Sequence, residues 1–232
     1  MAIGRLSRRR SVMKAVFLSA SVPEPTSEFA TDADPYLIQF AVREFMTTVL
    51  GRCQLVWGGH PAITPMVWAV CEDLGVDYAE AVKLYQSGYF EDEFPDENAR
   101  FNNIVVTDTI SDADGKPDLS ASLRHMRERM FGETAFEAAV FIGGKQGILD
   151  EFELITTYHP DIQTVSVGAP GGAARKLALS LNAEDGPMIE GCDFSHLFHE
   201  RLGISPLDAR DFKRRAATIP APIISDQSSG EV

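Results

Sequence analysis

The chain has 232 residues, of which 44% are hydrophobic and 24% charged, enough apolar material for one sizeable core. Its 34 acidic residues outnumber 21 basic ones and leave a formal charge of −13, so the surface as a whole repels polyanions and disfavours broad nucleic-acid binding. Cys53, Cys71 and Cys192 are odd in number and far apart, which fits no disulfide framework, and no apolar stretch approaches the ~20 residues that span a bilayer, so the expected location is the cytoplasm.

Residues 1–13 read as a basic, disordered arm, with Arg5, Arg8, Arg9 and Arg10 ahead of Lys14 and the first apolar run. Residues 14–217 read as a single domain, and 218–232, with Pro220, Pro222 and several serines, as a flexible tail. Ala15 to Ser21 is an apolar run that ends in small residues and empties towards Pro23 and Pro25, as a buried strand does. From Asp34 to Gly51, Leu37, Phe40, Ala41, Phe45, Val49 and Leu50 recur at helical spacing, and Gly51 stands at the expected stop. Gln54 to Trp57 reads as a second strand that runs into Gly58-Gly59-His60-Pro61 and a helix from Thr64 to Leu74. Between Tyr85 and Pro117 the pattern predicts one strand over 103–106, set in long polar connections of the kind that often carry function.

A helix over 119–131 follows, then a strand over 138–142 that enters Gly143-Gly144-Lys145-Gln146-Gly147 and a helix reaching Thr157. Gln163 to Val167 leads in the same way into Gly168-Ala169-Pro170-Gly171-Gly172 and a helix beginning near Ala173. Further on, Phe194, Leu197 and Phe198 alternate with Cys192, His196 and His199, which favours an amphipathic helix over a metal site. Three repeats of strand, glycine turn and helix predict an α/β fold: Rossmann-like, doubly wound, with a mainly parallel sheet and helices on both faces.

The glycine turns carry the functional expectation. A helix N-terminus leaves backbone N–H groups without intrahelical partners and bears about half a positive charge, so anions settle there. Three such turns leaving strands at one sheet edge would converge on one crevice. The common motifs are absent: neither Gly58-Gly59 nor Gly143-Gly144 extends to GxGxxG, no GxxxxGK[ST] occurs, and Thr164-Val165-Ser166-Val167-Gly168 lacks the first glycine of a GxSxG nucleophile elbow.

Over residues 14–180 the chain resembles the SLOG superfamily, Rossmann-like proteins that include the Lonely Guy phosphoribohydrolases and a set of nucleotide-signal sensors. The exit of the first strand, Phe17 to Ser21, is similar to the family's first loop, and Leu55-Val56-Trp57-Gly58-Gly59 to its second-strand turn. In the Lonely Guy enzymes a helical arginine precedes a PGGxGTxxE loop whose glutamate acts with it. Here Arg127 stands sixteen residues before Gly143, and Gly147-Ile148-Leu149-Asp150-Glu151 puts Glu151 in the glutamate's place. The resemblance therefore implies Glu151 and Arg127 as the catalytic pair of any N-glycosidase. It implies Ser19, Ala20, Ser21, Gly58, Gly59, His60, Gly143, Gly144, Lys145, Gln146, Gly147, Gly168, Gly171 and Gly172 as ligand-binding residues. Arg127, Lys145 or Arg175 would be charge partners, with Trp57 or His60 stacking a base.

The departures are Ile142 for the family's proline, one residue inserted at Lys145-Gln146, Ile148 for its threonine, and His60-Pro61 after the second-strand glycines. They shift the expectation from cleavage towards binding, as in divergent SLOG branches that sense a nucleotide derivative beside effectors in bacterial anti-phage or stress responses. The expected partners are a nucleotide-derived small molecule, a second copy of the chain in a homodimer or higher homo-oligomer, and a separate effector protein. No cofactor, metal or membrane contact is expected.

Overall fold

The computed structural model describes residues 15–211, so the basic arm and the tail read from the sequence lie outside the described residues. Six strands, β1 (Ala15–Ser21), β2 (Gln54–Trp57), β3 (Val82–Ser87), β4 (Asn103–Thr107), β5 (Phe136–Gly143) and β6 (Gln163–Val167), form one sheet in the order β4-β3-β2-β1-β5-β6. Every neighbouring pair is parallel. The helices are α1 (Pro35–Val49), α2 (Thr64–Leu74), α3 (Leu119–Glu133), α4 (Gln146–Tyr158), α5 (Gly172–Asn182), α6 (Gly186–Glu190) and α7 (Phe194–Arg201). This is the Rossmann-like α/β arrangement that the three repeats predict.

Because a parallel sheet is covered on both faces, its central strands read as near-continuous apolar runs. In β1, Val16, Leu18 and Ala20 enter one core with α1, α2 and α7, while Ala15 and Phe17 enter the other with α3, α4 and α5. Phe194, Leu197 and Phe198 are buried against the first of these cores. Among the described residues no helix is long and apolar enough to cross a membrane.

The local signals explain the element boundaries. Asp34 caps α1 by accepting from the Tyr36 and Leu37 amides at 2.8 and 3.1 Å, and Pro35 supplies a first residue that needs no donor. At the other end of α1, the Arg210 guanidinium donates to the Thr47 and Leu50 carbonyls and that of Arg52 to the Thr48 carbonyl at 2.9 Å, which meets the negative end of the helix with positive charge.

One strand departs from the sequence reading. β3 lies where a polar connection is expected, because Lys83, Gln86 and Ser87 interrupt its apolar run. Long-range partners accommodate two of them: Lys83 reaches the Glu133 carboxylate at 3.8 Å, and the buried Gln86 donates to the Gly58 carbonyl and accepts from the Asn98 amide, while Ser87 accepts from the Tyr89 N–H that follows the strand.

The sheet order positions the site. From β1 the chain steps outward through β2, β3 and β4, then crosses back to place β5 on the other side of β1. The connections diverge at the carboxyl ends of β1 and β5, and a crevice opens there.

Candidate functional site

A cavity of about 860 Å³ occupies that crevice, within the range of small-molecule sites. Its floor is the exit of β1 (Leu18 to Ser21) with the ends of β2 and β3, and its walls come from the amino-terminal halves of α3 and α4 and from a segment at 90–95. Of the residues singled out from the sequence, Ser19, Ala20, Ser21, Gly58, Gly59, His60, Arg127, Lys145, Gly147 and Glu151 line it together.

Its polar centre is built around Glu151, on the second turn of α4. One carboxylate oxygen accepts from Arg127 Nε at 3.0 Å, and the other accepts from the Ser19 hydroxyl. Arg127 and Glu151 keep only 13% and 15% of their side-chain surface exposed, so water screens the pair weakly. Asp150 stands 3.9 Å from the same guanidinium. Gly147 leaves room for the guanidinium: a Cβ there would sit 3.1 Å from Arg127 Nη2, tighter than ordinary contact.

A second ion pair spans two loops. Lys145, at the N-cap of α4, places Nζ 2.6 and 2.7 Å from the two oxygens of Glu24 in the loop after β1. This hydrogen bond and the lysine's charge hold the Glu24 carboxyl below its ordinary range. His60 lies beside them; burial pushes its imidazole below the ordinary value, the Lys145 charge adds to the effect, and Glu24 opposes it. The lining thus carries Glu24, Glu93, Asp118, Asp150 and Glu151 against Arg127 and Lys145, and both cations are already paired within the cavity wall.

Other sequence-derived residues lie elsewhere. Gly143, Gly144 and Gln146 stand behind the lining: the Gly144 amide donates to the Ser21 carbonyl at 2.8 Å, and the Gln146 side chain donates to Asp150 at 2.9 Å. The third glycine turn does not reach the cavity at all. Gly168 packs against Ile189, and the amides that open α5 are taken by the chain itself, Gly172 N–H by the Asp32 carboxylate at 3.3 Å and Ala173 N–H by the Gly144 carbonyl at 2.9 Å. Gly172 has φ +70°, and a Cβ on it would lie 2.8 Å from the backbone of Gly143 and Gly144, so this turn serves close packing between loops. Arg175 is likewise engaged with the Ile189 carbonyl at 3.1 Å and with Glu190, away from the cleft. The expected convergence of three turns is therefore a convergence of two, joined by the β1 exit.

Trp57 borders the cavity but is 1% exposed, so it presents no stacking face. The aromatic surface comes instead from half-buried Phe90 and Phe94, with Leu123 and Met126 on α3 completing the apolar side. Sequence reasoning passed over these residues. The available signal was two aromatic residues, Phe90 and Phe94, within an acidic stretch punctuated by Gly88 and Pro95.

Cys192, His196 and His199, set aside as ligands from the sequence, belong to α7 and its approach; the His199 ring bonds the Ile204 carbonyl at 2.6 Å. Among the described residues no group of three or more His, Cys, Asp or Glu side chains could hold a metal ion.

Comparison with known proteins gives one family. The model described as the SLOG cluster3 family matches residues 28–202, from the turn before α1 to the end of α7. It therefore takes in Arg127, Glu151 and both glycine turns of the cleft, while β1 and Ser19 precede it. No curated protein matches the chain.

Proposed function

Since the chain belongs to the SLOG cluster3 family, we propose that it binds a nucleotide-derived small molecule in the cleft above the carboxyl ends of β1, β2 and β3 and between α3 and α4, as a signal-sensing domain. The observation that carries this reading is the state of Glu151. Both its oxygens are occupied, one by Arg127 and one by Ser19, so the carboxylate is tied into the wall instead of being held ready to attack or to take a proton. Such a cluster is suited to holding ribose hydroxyls, which can replace Ser19 as donors. The uncapped first turn of α4 offers amides to a phosphate, and Phe90 and Phe94 offer faces to a base.

Binding is useful for signalling only if it favours one conformation or assembly over another. In this reading the change is passed to a second copy of the chain or to a separate effector, in the cytoplasm of a bacterium responding to phage or stress. A second reading is hydrolysis of a nucleotide N-glycosidic bond. The 3.0 Å contact between Arg127 and Glu151 favours it, because ligand binding could free the carboxylate to stabilise a cation-like sugar while Arg127 holds a phosphate.

Incubation with AMP and ADP-ribose, followed by chromatography and thermal melting, separates the two. A ligand at a hundred times its Kd stabilises the folded state by about 2.7 kcal/mol, or roughly 5–10 °C in Tm for a chain of this size. A shift with intact nucleotide supports sensing. Release of free base that disappears in Glu151→Gln supports hydrolysis, and the absence of both with every nucleotide tested rejects the site.

A further inference from the structure

The cleft meets a phosphate with an unusual charge balance. Arg127 is held by Glu151, and Lys145, the other cation in the lining, is held by both oxygens of Glu24 at 2.6 and 2.7 Å. These partners come from loops 121 positions apart in the chain, one leaving β1 and one entering α4, so the pair lies across the space where a phosphate would reach the first turn of α4. With side chains 43% and 60% exposed, it is the kind of pair that a competing anion can open.

We infer that Glu24 is a charge filter for the cleft: it occupies Lys145, a phosphate enters only by displacing it, and the displaced carboxylate then repels further negative charge. The inference rests on the nucleotide-binding reading above and adds a specificity-determining residue to it. Glu24 thereby sets how anionic a ligand the cleft accepts, because each added phosphate meets a carboxylate whose cation has been taken by the first.

The filter and a simple tether between two loops differ in sign. If the pair only ties the loops together, Glu24→Gln and Lys145→Gln break the same contact and change affinity in the same direction. If Glu24 is a filter, removing the acid frees a cation for the ligand, whereas removing the lysine deprives the ligand of one. Calorimetric titration of the full chain and both variants with adenosine, AMP and ATP tests this. The expected result is AMP binding about fivefold tighter in Glu24→Gln, the size of one surface charge pair, with a larger gain for ATP and weaker binding of both in Lys145→Gln. The ratio of ATP to adenosine affinity rises in the first variant and falls in the second.

Changes of the same sign in both variants, or an equal effect of Glu24→Gln on adenosine and ATP, overturn the filter and leave the binding reading intact. Failure of all three ligands to bind all three chains removes both. Unchanged melting of the unliganded variants, within about 2 °C, is expected for exposed side chains and excludes misfolding as the cause.

Discussion

Replacing Arg127 with methionine keeps most of the side chain's length and removes its charge. In the folded chain, Arg127 and Glu151 meet at 3.0 Å with 13% and 15% of their side chains exposed. Exposed pairs contribute about 0–1 kcal/mol, whereas removing one member of a fully buried pair costs about 3–5 kcal/mol. At this intermediate depth the expected cost of Arg127→Met is about 2 kcal/mol, because Glu151 is left with the Ser19 hydroxyl as its remaining hydrogen-bond donor. Glu151→Gln should cost only about half as much, about 1 kcal/mol, because Arg127 retains Asp150 at 3.9 Å and the amide oxygen can still accept a hydrogen bond. For a chain of this size each kcal/mol lowers Tm by about 2–4 °C, so the two variants should melt about 4–8 °C and 2–4 °C below the parent. The double variant should fall short of the sum, since both changes remove one shared interaction. Equal melting of the two single variants, or strict additivity in the double, would refute the view that the wall of the cleft is held by one partly buried ion pair.

Gly172→Ala should destabilise by more than about 2 kcal/mol in denaturant titration, since it combines a left-handed φ of +70° with backbone atoms 2.8 Å from the new Cβ; a change below 0.5 kcal/mol would contradict the close packing of the two loops. The His60 imidazole, with its pKa lowered from 6.5 by burial and by Lys145, binds its proton less readily in the folded chain. Its contribution therefore favours folding fully above about 6.5 and is lost as pH falls towards the folded midpoint; in NMR titration Glu24→Gln should move that midpoint further down and Lys145→Met should move it up. At pH 8 an alkylating reagent should modify exposed Cys192 and spare Cys71, whose thiol is buried and pushed up to about 12, until the chain is unfolded; mass spectrometry of the native protein reads this directly.

Much of the site was legible because a short-range pattern carried it. Strands that empty into glycine turns and then helices imply a parallel sheet, and such a sheet places its loops at the carboxyl edge. The Arg127 and Glu151 pair was legible only through the resemblance to the Lonely Guy motif and, once folded, spans the contact between α3 and α4. What remained hidden depended on partners far away in the chain. The glycine turn at 168–172 has the same local appearance as the one at 143–147, yet the Asp32 carboxylate and the Gly144 carbonyl take the amides of the first and the cavity opens beside the second.

The amino-acid sequence by itself determined the layered architecture and the extent of most strands and helices, because periodicity, capping and turn chemistry act over a few residues, whereas the side chains of the polar centre were pointed to by the family resemblance. Tertiary structure alone decided the place of β3, the pairing of Glu24 with Lys145, and the aromatic wall at 90–95. The reason is physical: a polar residue can be buried, and a cation neutralised, by a group whose identity no neighbouring residue records.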